Sequence, residues 1–269
     1  MFVAASAVWR ESLMRWDWQR FLRYGVWTVL ALVILWAIMK LRWDWLPEFL
    51  PALGGGLLIT VFILVFSVVV GFLMAVPIGL VQVTGPRPLA IAAKSFCSFI
   101  RGTPLLIQIW LLYYGVGSLF PLIPGMREHF MWLIRLDAIY YVLLAFTLSF
   151  AGYEGEIMRG AFLAVPRGEL EAARAFGMSQ WKVVTRIWFP SAVLKVLPTL
   201  AGEVIGQLKS TPLAFTVPVM DLMGVVHSVM QKYYIAYEPL LLIAGVYMAL
   251  TYLITRAFNW AESLIPQRR

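Results

Sequence analysis

Six long apolar runs constrain this chain more than any other feature. They cover about residues 24–39, 52–83, 99–120, 138–158, 187–217 and 238–258. A helix needs about 20 consecutive apolar residues to cross a bilayer. Only the first run falls short, so Trp and Tyr at its ends must help it span. Hydrophobic residues make up 61% of the 269 and charged residues 13%. Soluble domains run at roughly 45–50% and about 25%, and a soluble core of this size cannot hide so much apolar surface. The sequence therefore predicts an all-α polytopic membrane protein with about six transmembrane helices. It excludes a disordered chain, a coiled coil and an ordinary soluble domain. The second and fifth runs are too long for one straight span, and both carry Pro and Gly (Pro77; Pro190, Pro198 and Pro212). Tilted, kinked or broken helices are expected there, with neighbouring helices or a polar cavity satisfying the freed backbone groups.

The net charge of +8 reads as topology rather than nucleic-acid binding, because Arg and Lys stand singly between apolar runs. With the N-terminus in the cytoplasm, Arg10, Arg15, Arg20, Arg23, Arg87, Lys94, Arg101, Arg159, Arg167, Arg174, Lys182, Arg186, Arg256, Arg268 and Arg269 lie inside. Lys40, Arg42, Arg127, Arg135 and Lys232 lie outside, and Lys195 and Lys209 fall within the fifth run. That asymmetry puts both termini inside. Trp43, Trp45 and Trp132 then belong to an outer aromatic belt. The first run lacks a cleavage site and is expected to be retained as a span. A single cysteine, Cys97, excludes an intrachain disulfide, and His129 and His227 match no metal-ligand spacing.

One segment, residues 165–190 (VPRGELEAARAFGMSQWKVVTRIWFP), is polar enough to leave the membrane and patterned enough to fold. Pro166 suits a first helical turn, and Glu169 and Glu171 favour its positive end. Ala172, Ala173 and Ala175 are strong helix formers. Gly177 suits the left-handed position after the helix, and Ser179 the N-cap of a second one. A helix–Gly–helix elbow is predicted. Its plain alternative is a charged helix that only satisfies topology.

The spacing Glu171-Ala172-Ala173, Gly177, Ile187, Phe189-Pro190 resembles the EAA loop of ABC importer membrane subunits, with Phe189 in place of the usual Leu. Arg101-Gly102-Thr103-Pro104-Leu105-Leu106 with Gln108, Glu156-Ile157-Met158-Arg159-Gly160, and Glu203-Val204-Ile205 with Lys209-Ser210-Thr211 resemble the polar amino acid permease family of the histidine permease type. The resemblance covers about residues 52–260 and implies a five-span core, preceded by residues 1–51 with one extra span and followed by a cytoplasmic tail, 261–269. It implies a permease subunit of an ATP-driven importer in a bacterial inner membrane, working on amino acids, including basic amino acids and opines. The implied partners are a cytoplasmic ABC ATPase dimer, a second permease subunit (identical or paralogous) and an extracytoplasmic solute-binding protein. The chain lacks G-x-x-x-x-G-K-[ST], so ATP and Mg are expected on the ATPase, and no cofactor on this chain. Glu169, Glu171, Ala172, Ala173, Arg174, Ala175 and Gly177 are then the expected ATPase-docking residues.

Ionisable residues within spans are candidates for a substrate path, because burial in lipid is costly. Glu203, Gln207 and Ser210 share one helical face with Gly206. That face either lines a polar path or glues helices together. Lys209 lies on another face and is a further path candidate, with snorkelling to the interface as its alternative, while Arg101 and Thr103 read as residues that fix the start of the third span. Glu154 and Glu156 are two residues apart and point to different sides. Glu156 is the path candidate of the two, and its alternative is a place at the inner interface beside Arg159. Competing readings of the whole chain are a secondary transporter or channel independent of ATP, a membrane enzyme, and an inert scaffold. The first leaves the EAA pattern without a task. No nucleophile–base pair or metal cluster supports the second, and buried charge disfavours the third.

Overall fold

The computed structural model describes residues 20–29, 32, 36, 39–119 and 136–264, and among these the regular structure is helical throughout. Arg10, Arg15, Arg127, His129, Trp132, Arg135, Arg268 and Arg269 lie outside the described residues. The chain divides into two compact units, Met1–Pro47 and Glu48–Arg269. In the first unit, residues 20–29 are helical and so are 32, 36, 39 and 40, while the rest of the first apolar run falls outside the description. Arg42 pairs with Asp44 at 3.2 Å, and the Trp45 indole N–H donates to the Arg42 carbonyl at 3.0 Å. The Arg42 guanidinium holds the Asp44 carboxyl below its usual range.

The second apolar run forms one continuous helix, α1 (Leu46–Thr84), despite Pro51 and Pro77. Of the tilted, kinked or broken forms expected for this run, the broken one is not seen. At 1.5 Å per residue its 39 residues extend about 58 Å, nearly twice the ~30 Å hydrocarbon core, so in a bilayer it must tilt or protrude. The boundary expected at residue 51 falls inside this helix.

The third run, in contrast, is split. Helix α2 (Arg87–Gly102) begins after Pro86, with Pro88 in its first turn, where a missing N–H is harmless. It ends at Thr103, and Pro104 starts α3 (Leu105–Trp110), which continues as a wide π-helical turn, Leu111–Gly115. The two axes meet at 103°. Pro104 cannot continue a helix that needs its N–H, and it forces Thr103 into the extended region.

Helix α4 (Ala138–Leu163) is the centre of the unit. Asp137 caps it, accepting from the Ile139 N–H at 3.2 Å. It is buried on most of its circumference, as an apolar helix surrounded by others must be. After the elbow, α7 (Phe189–Ser210) leads into a 3-10 segment, Thr211–Thr216. Helix α8 (Leu222–Tyr233) is capped by Asp221, which accepts from the Gly224 N–H at 2.9 Å. Helix α9 (Tyr237–Ser263) closes the unit. The elbow holds α5 (Arg167–Ala175) and the short α6 (Gln180–Val183). Helices α2 and α7 pack on α4, and α9 packs on α7.

Helix α1 lies so close to α4 that a Cβ on Gly79 would stand 2.8 Å from the Arg159 backbone nitrogen, and one on Gly71 would stand 3.1 Å from the Thr147 carbonyl oxygen. Ala75 between them is fully buried. Small residues one or two turns apart thus let the two backbones approach, as is common between membrane helices. Among the described residues, three helices or helical stretches are long and apolar enough to cross a membrane: Leu46–Thr84, Gln180–Thr216 and Tyr237–Ser263. The bent pair α2–α3 makes a fourth if counted as one span.

Candidate functional site

A cavity of about 420 Å³ opens among three parts of the chain, a size suited to a small organic molecule. Five consecutive residues, Arg101 to Leu105, enter it from the bend between α2 and α3. Ser149, Phe150 and Tyr153 enter from α4, and Glu203, Gly206, Gln207 and Ser210 from α7. The α7 residues follow the spacing of one helical face, so the stripe expected from the sequence is the stripe that lines the cavity. The Arg101 guanidinium carbon stands 5.7 Å from the centroid of the Tyr153 ring, a cation–π geometry. A cation, a carboxylate, an amide and hydroxyls thus converge on one space, with Phe150 and Leu105 supplying apolar wall.

Gln207 has two tasks. Its side-chain N–H group donates to the Phe146 carbonyl at 2.9 Å and to the Ser67 hydroxyl at 3.3 Å. The amide therefore ties α7 to α4 and α1 while its residue lines the cavity. The helix-gluing alternative holds for its nitrogen. The Ser210 hydroxyl is turned back to the Gly206 carbonyl at 3.0 Å.

Two path candidates lie elsewhere. Lys209 is exposed and does not line the cavity, because it projects from another face of α7. Glu156 pairs with Arg159 one turn on, accepting from its Nε at 2.8 Å. Glu156 thus has Arg159 as its ion-pair partner and does not line the cavity. Its neighbour Glu154 is fully buried, and neither of its carboxylate oxygens has a hydrogen-bond partner.

Arg101, Thr103, Ser149 and Tyr153 also line the cavity, and they are not among the residues expected from the sequence. In the sequence, Arg101 and Thr103 read as residues fixing the start of a span. The available signal was Pro104, which breaks the helix and turns the preceding residues sideways. Ser149 and Tyr153 stand four apart in a run that otherwise reads as packing.

The elbow has the predicted form. Helix α5 starts after Pro166, which occupies the N-cap rather than the first turn, and its carbonyl accepts from the Glu169 N–H at 3.1 Å. At the other end Gly177 has φ +76°. Its N–H donates to the Arg174 carbonyl at 2.9 Å, and the Met178 N–H donates to the Ala173 carbonyl at 3.2 Å. This pair of bonds is the Schellman closure. Ser179 occupies the N-cap of α6, with its side chain making no capping bond.

Leu170 and Ala173 face inward, buried with Val183 and Trp188 against the end of α4. Glu171, Ala172, Arg174, Ala175 and Gly177 face outward, and Glu169 is half-buried. Two large aromatics join the outward side: Phe176 is 89% exposed and Trp181 74%. Ala173 is thus the one expected docking residue that the fold turns into its own core. The elbow is anchored from behind by Trp188, whose indole N–H donates to the Phe162 carbonyl at 2.8 Å and whose ring meets the Phe162 ring edge-on.

Residues 67–263 match the profile of a family described as binding-protein-dependent transport system inner membrane component. The octopine transport system permease protein OccM of Rhizobium radiobacter is 36% identical over 219 residues, 81% of this chain and 88% of that protein. The histidine/lysine/arginine/ornithine transport system permease protein HisM of Escherichia coli K12 is 33% identical over 207 residues, 77% of this chain and 86% of that protein. Among solved structures, an amino acid ABC transporter crystallised with histidines superposes with a TM-score of 0.70 and 26% identity, covering 84% of this chain and all of that one. The MetNI methionine ABC transporter has the same fold at 18% identity, with a TM-score of 0.65 and 80% and 97% coverage.

Proposed function

The chain belongs to the binding-protein-dependent transport inner membrane component family, and from that premise we propose that it is the permease subunit of an ATP-driven importer of amino acids, with a preference for those carrying an extra positive charge. The observation that carries the substrate class is the meeting of Arg101 and Glu203 in one cavity, on different helices. An α-amino acid presents a carboxylate and an ammonium. Arg101 suits the carboxylate, since its planar fork of N–H donors matches it. Glu203 suits the cationic group. Relatives named for octopine and for histidine, lysine, arginine and ornithine transport support that assignment.

The residues of this chain bind and orient. Arg101 and Glu203 fix the two charged ends, Thr103 and Ser149 offer hydroxyls, and Phe150 and Leu105 keep the wall dry. ATP and Mg are held by a partner ATPase dimer. The exposed side of the elbow, Glu171, Ala172, Arg174, Ala175 and Gly177, with Glu169 at its edge, docks on that ATPase. Ala173 supports it from within. A second permease subunit, identical or paralogous, completes the pathway, and a solute-binding protein delivers the amino acid from outside. Alternation between inward- and outward-facing states then follows ATP-driven closure. In this reading residues 1–51 add a span to a five-span core over 52–260, both termini and the elbow are cytoplasmic, and 261–269 is a cytoplasmic tail.

Uptake by the complete complex in proteoliposomes tests the proposal, with a panel of amino acids and opines outside and ATP enclosed or omitted. Uptake should require ATP and favour cationic amino acids or opines. Glu203→Gln should lower it several-fold while leaving the amount of assembled complex unchanged. Uptake that persists without ATP would support a secondary transporter instead.

A further inference from the structure

The wall of the cavity that carries Arg101 and Thr103 is a bend, and a bend of 103° at a helix end exposes carbonyl groups that the broken helix no longer satisfies. One side chain answers them. Gln108, buried on α3, donates through its amide nitrogen to the Ile100 carbonyl, the Thr103 carbonyl and the Thr103 hydroxyl, each at 3.0 Å. These acceptors flank Arg101 and Gly102 on both sides. The Thr103 hydroxyl also reaches back to the Phe99 carbonyl at 3.0 Å. Gln108 itself does not line the cavity. Its amide oxygen is buried without a partner, so the bonding of this side chain is directed entirely at the bend.

Two further contacts hold the same segment in place. Ile109 is fully buried among Ile63, Val142 and Ala214. The Trp110 indole N–H donates to the Thr216 hydroxyl at 3.2 Å. The bend is therefore clamped from its α3 side, with Gln108 as the polar side chain that bridges α3 to the end of α2.

We propose that Gln108 is a positioning residue for substrate binding: its amide nitrogen locks the bend that presents Arg101 and Thr103 to the cavity. The inference rests on the cavity being the amino acid site. It predicts that losing Gln108 weakens substrate binding through Arg101 rather than through general loss of fold. Leucine at this position removes all donors at similar length, and glutamate keeps the shape while offering at most one.

The test uses the permease–ATPase complex in nanodiscs, prepared without the solute-binding protein, so that the amino acid has only the permease to bind. Octopine or arginine serves as the probe, whichever the wild-type complex binds more tightly. Gln108→Leu and Gln108→Glu should each weaken the Kd about tenfold, as should Arg101→Ala. The double variant Arg101→Ala/Gln108→Leu should bind no worse than about twofold below Arg101→Ala alone, because residues acting through one contact are not additive. Multiplied effects, about a hundredfold in the double variant, would overturn the inference, since Gln108 would then act independently of Arg101. An unchanged Kd in both Gln108 variants, with Arg101→Ala weakened, would also overturn it while leaving the cavity reading intact. No binding of either probe by wild type, or an unchanged Kd in Arg101→Ala, would overturn the cavity reading and this inference with it. Should Gln108→Leu fail to assemble, the Gln108→Glu arm and its own double variant with Arg101→Ala decide the matter alone.

Discussion

Glycine at position 79 and glycine at position 102 look alike in the sequence and differ entirely in the fold. A Cβ at 79 would meet the Arg159 nitrogen and the Met158 side chain at 2.8 Å, whereas one at 102 meets nothing within 4 Å. The Arg159 nitrogen is backbone and cannot turn aside. Gly79→Ala should therefore destabilise the protein by about 1–3 kcal/mol, the usual cost of overpacking, and Gly102→Ala should leave it unaffected by this mechanism. Thermal unfolding of the purified complex, followed by loss of monodisperse protein, checks the contrast. Equal midpoints for the two variants would refute the close approach of α1 and α4. Residue chemistry was unevenly legible. Glu203, Gln207 and Ser210 could be grouped from their place within a span and their helical spacing, and their face of α7 is the one that lines the cavity. Arg101 and Tyr153 were not grouped with them, because their meeting at the cavity depends on a turn of the chain and on a neighbour across it. Neither is written in local spacing. Ala173 is among the docking residues that the resemblance implies, while the fold buries it in the core beside Leu170.

At the scale of elements, the elbow was the most readable part of the chain. Its start, its glycine and its second helix are each marked by a residue with a local physical reason, and the structure supplies the Schellman bonds that Gly177 implies. A side chain at 177 would be held at φ +76°, where a Cβ costs about 1–2 kcal/mol. The variants Glu171→Ala and Gly177→Asp, alone and together, should reduce co-purification of the ATPase, with the double variant losing most of it. Undiminished complex and normal uptake in the double variant would remove the docking role. Other elements were hidden. Helix α2 was not anticipated: Arg87, Lys94 and Arg101 entered only as charges on the inner side, while together with the apolar residues between them they form a helix that packs on α4. Helix α8 was not anticipated, although Asp221 before an apolar stretch is an ordinary cap signal. Proline was the least readable signal: α1 runs unbroken through Pro51 and Pro77, while Pro104 divides a run that reads as continuous.

For the molecule as a whole, composition and basic-residue asymmetry were enough to predict a helical membrane protein, and the family follows from the pattern of the elbow and its flanks. Orientation can be tested with the protein's own cysteine economy. Cys97 is 1% exposed, so the native chain should react little with a polar thiol reagent. Phe176 (89% exposed) and Tyr234 (93% exposed) lie beyond opposite ends of the long stretch Gln180–Thr216 in sequence. In intact cells, Tyr234→Cys should be labelled by a membrane-impermeant maleimide, and Phe176→Cys only after the membrane is opened. The reverse pattern would invert the topology.

The continuity of Gln180–Thr216 also has a mechanical consequence. From Gln180 at the elbow to Glu203 in the cavity the chain is helical without interruption, a distance of about 35 Å at 1.5 Å per residue. A helix of that length acts as a lever. A tilt of about 5° about the elbow end would carry Glu203 roughly 3 Å sideways, more than a hydrogen bond can follow. Arg101 stands on a different support, the bend between α2 and α3, so a small rotation of the elbow would draw Glu203 away from Arg101 across the cavity.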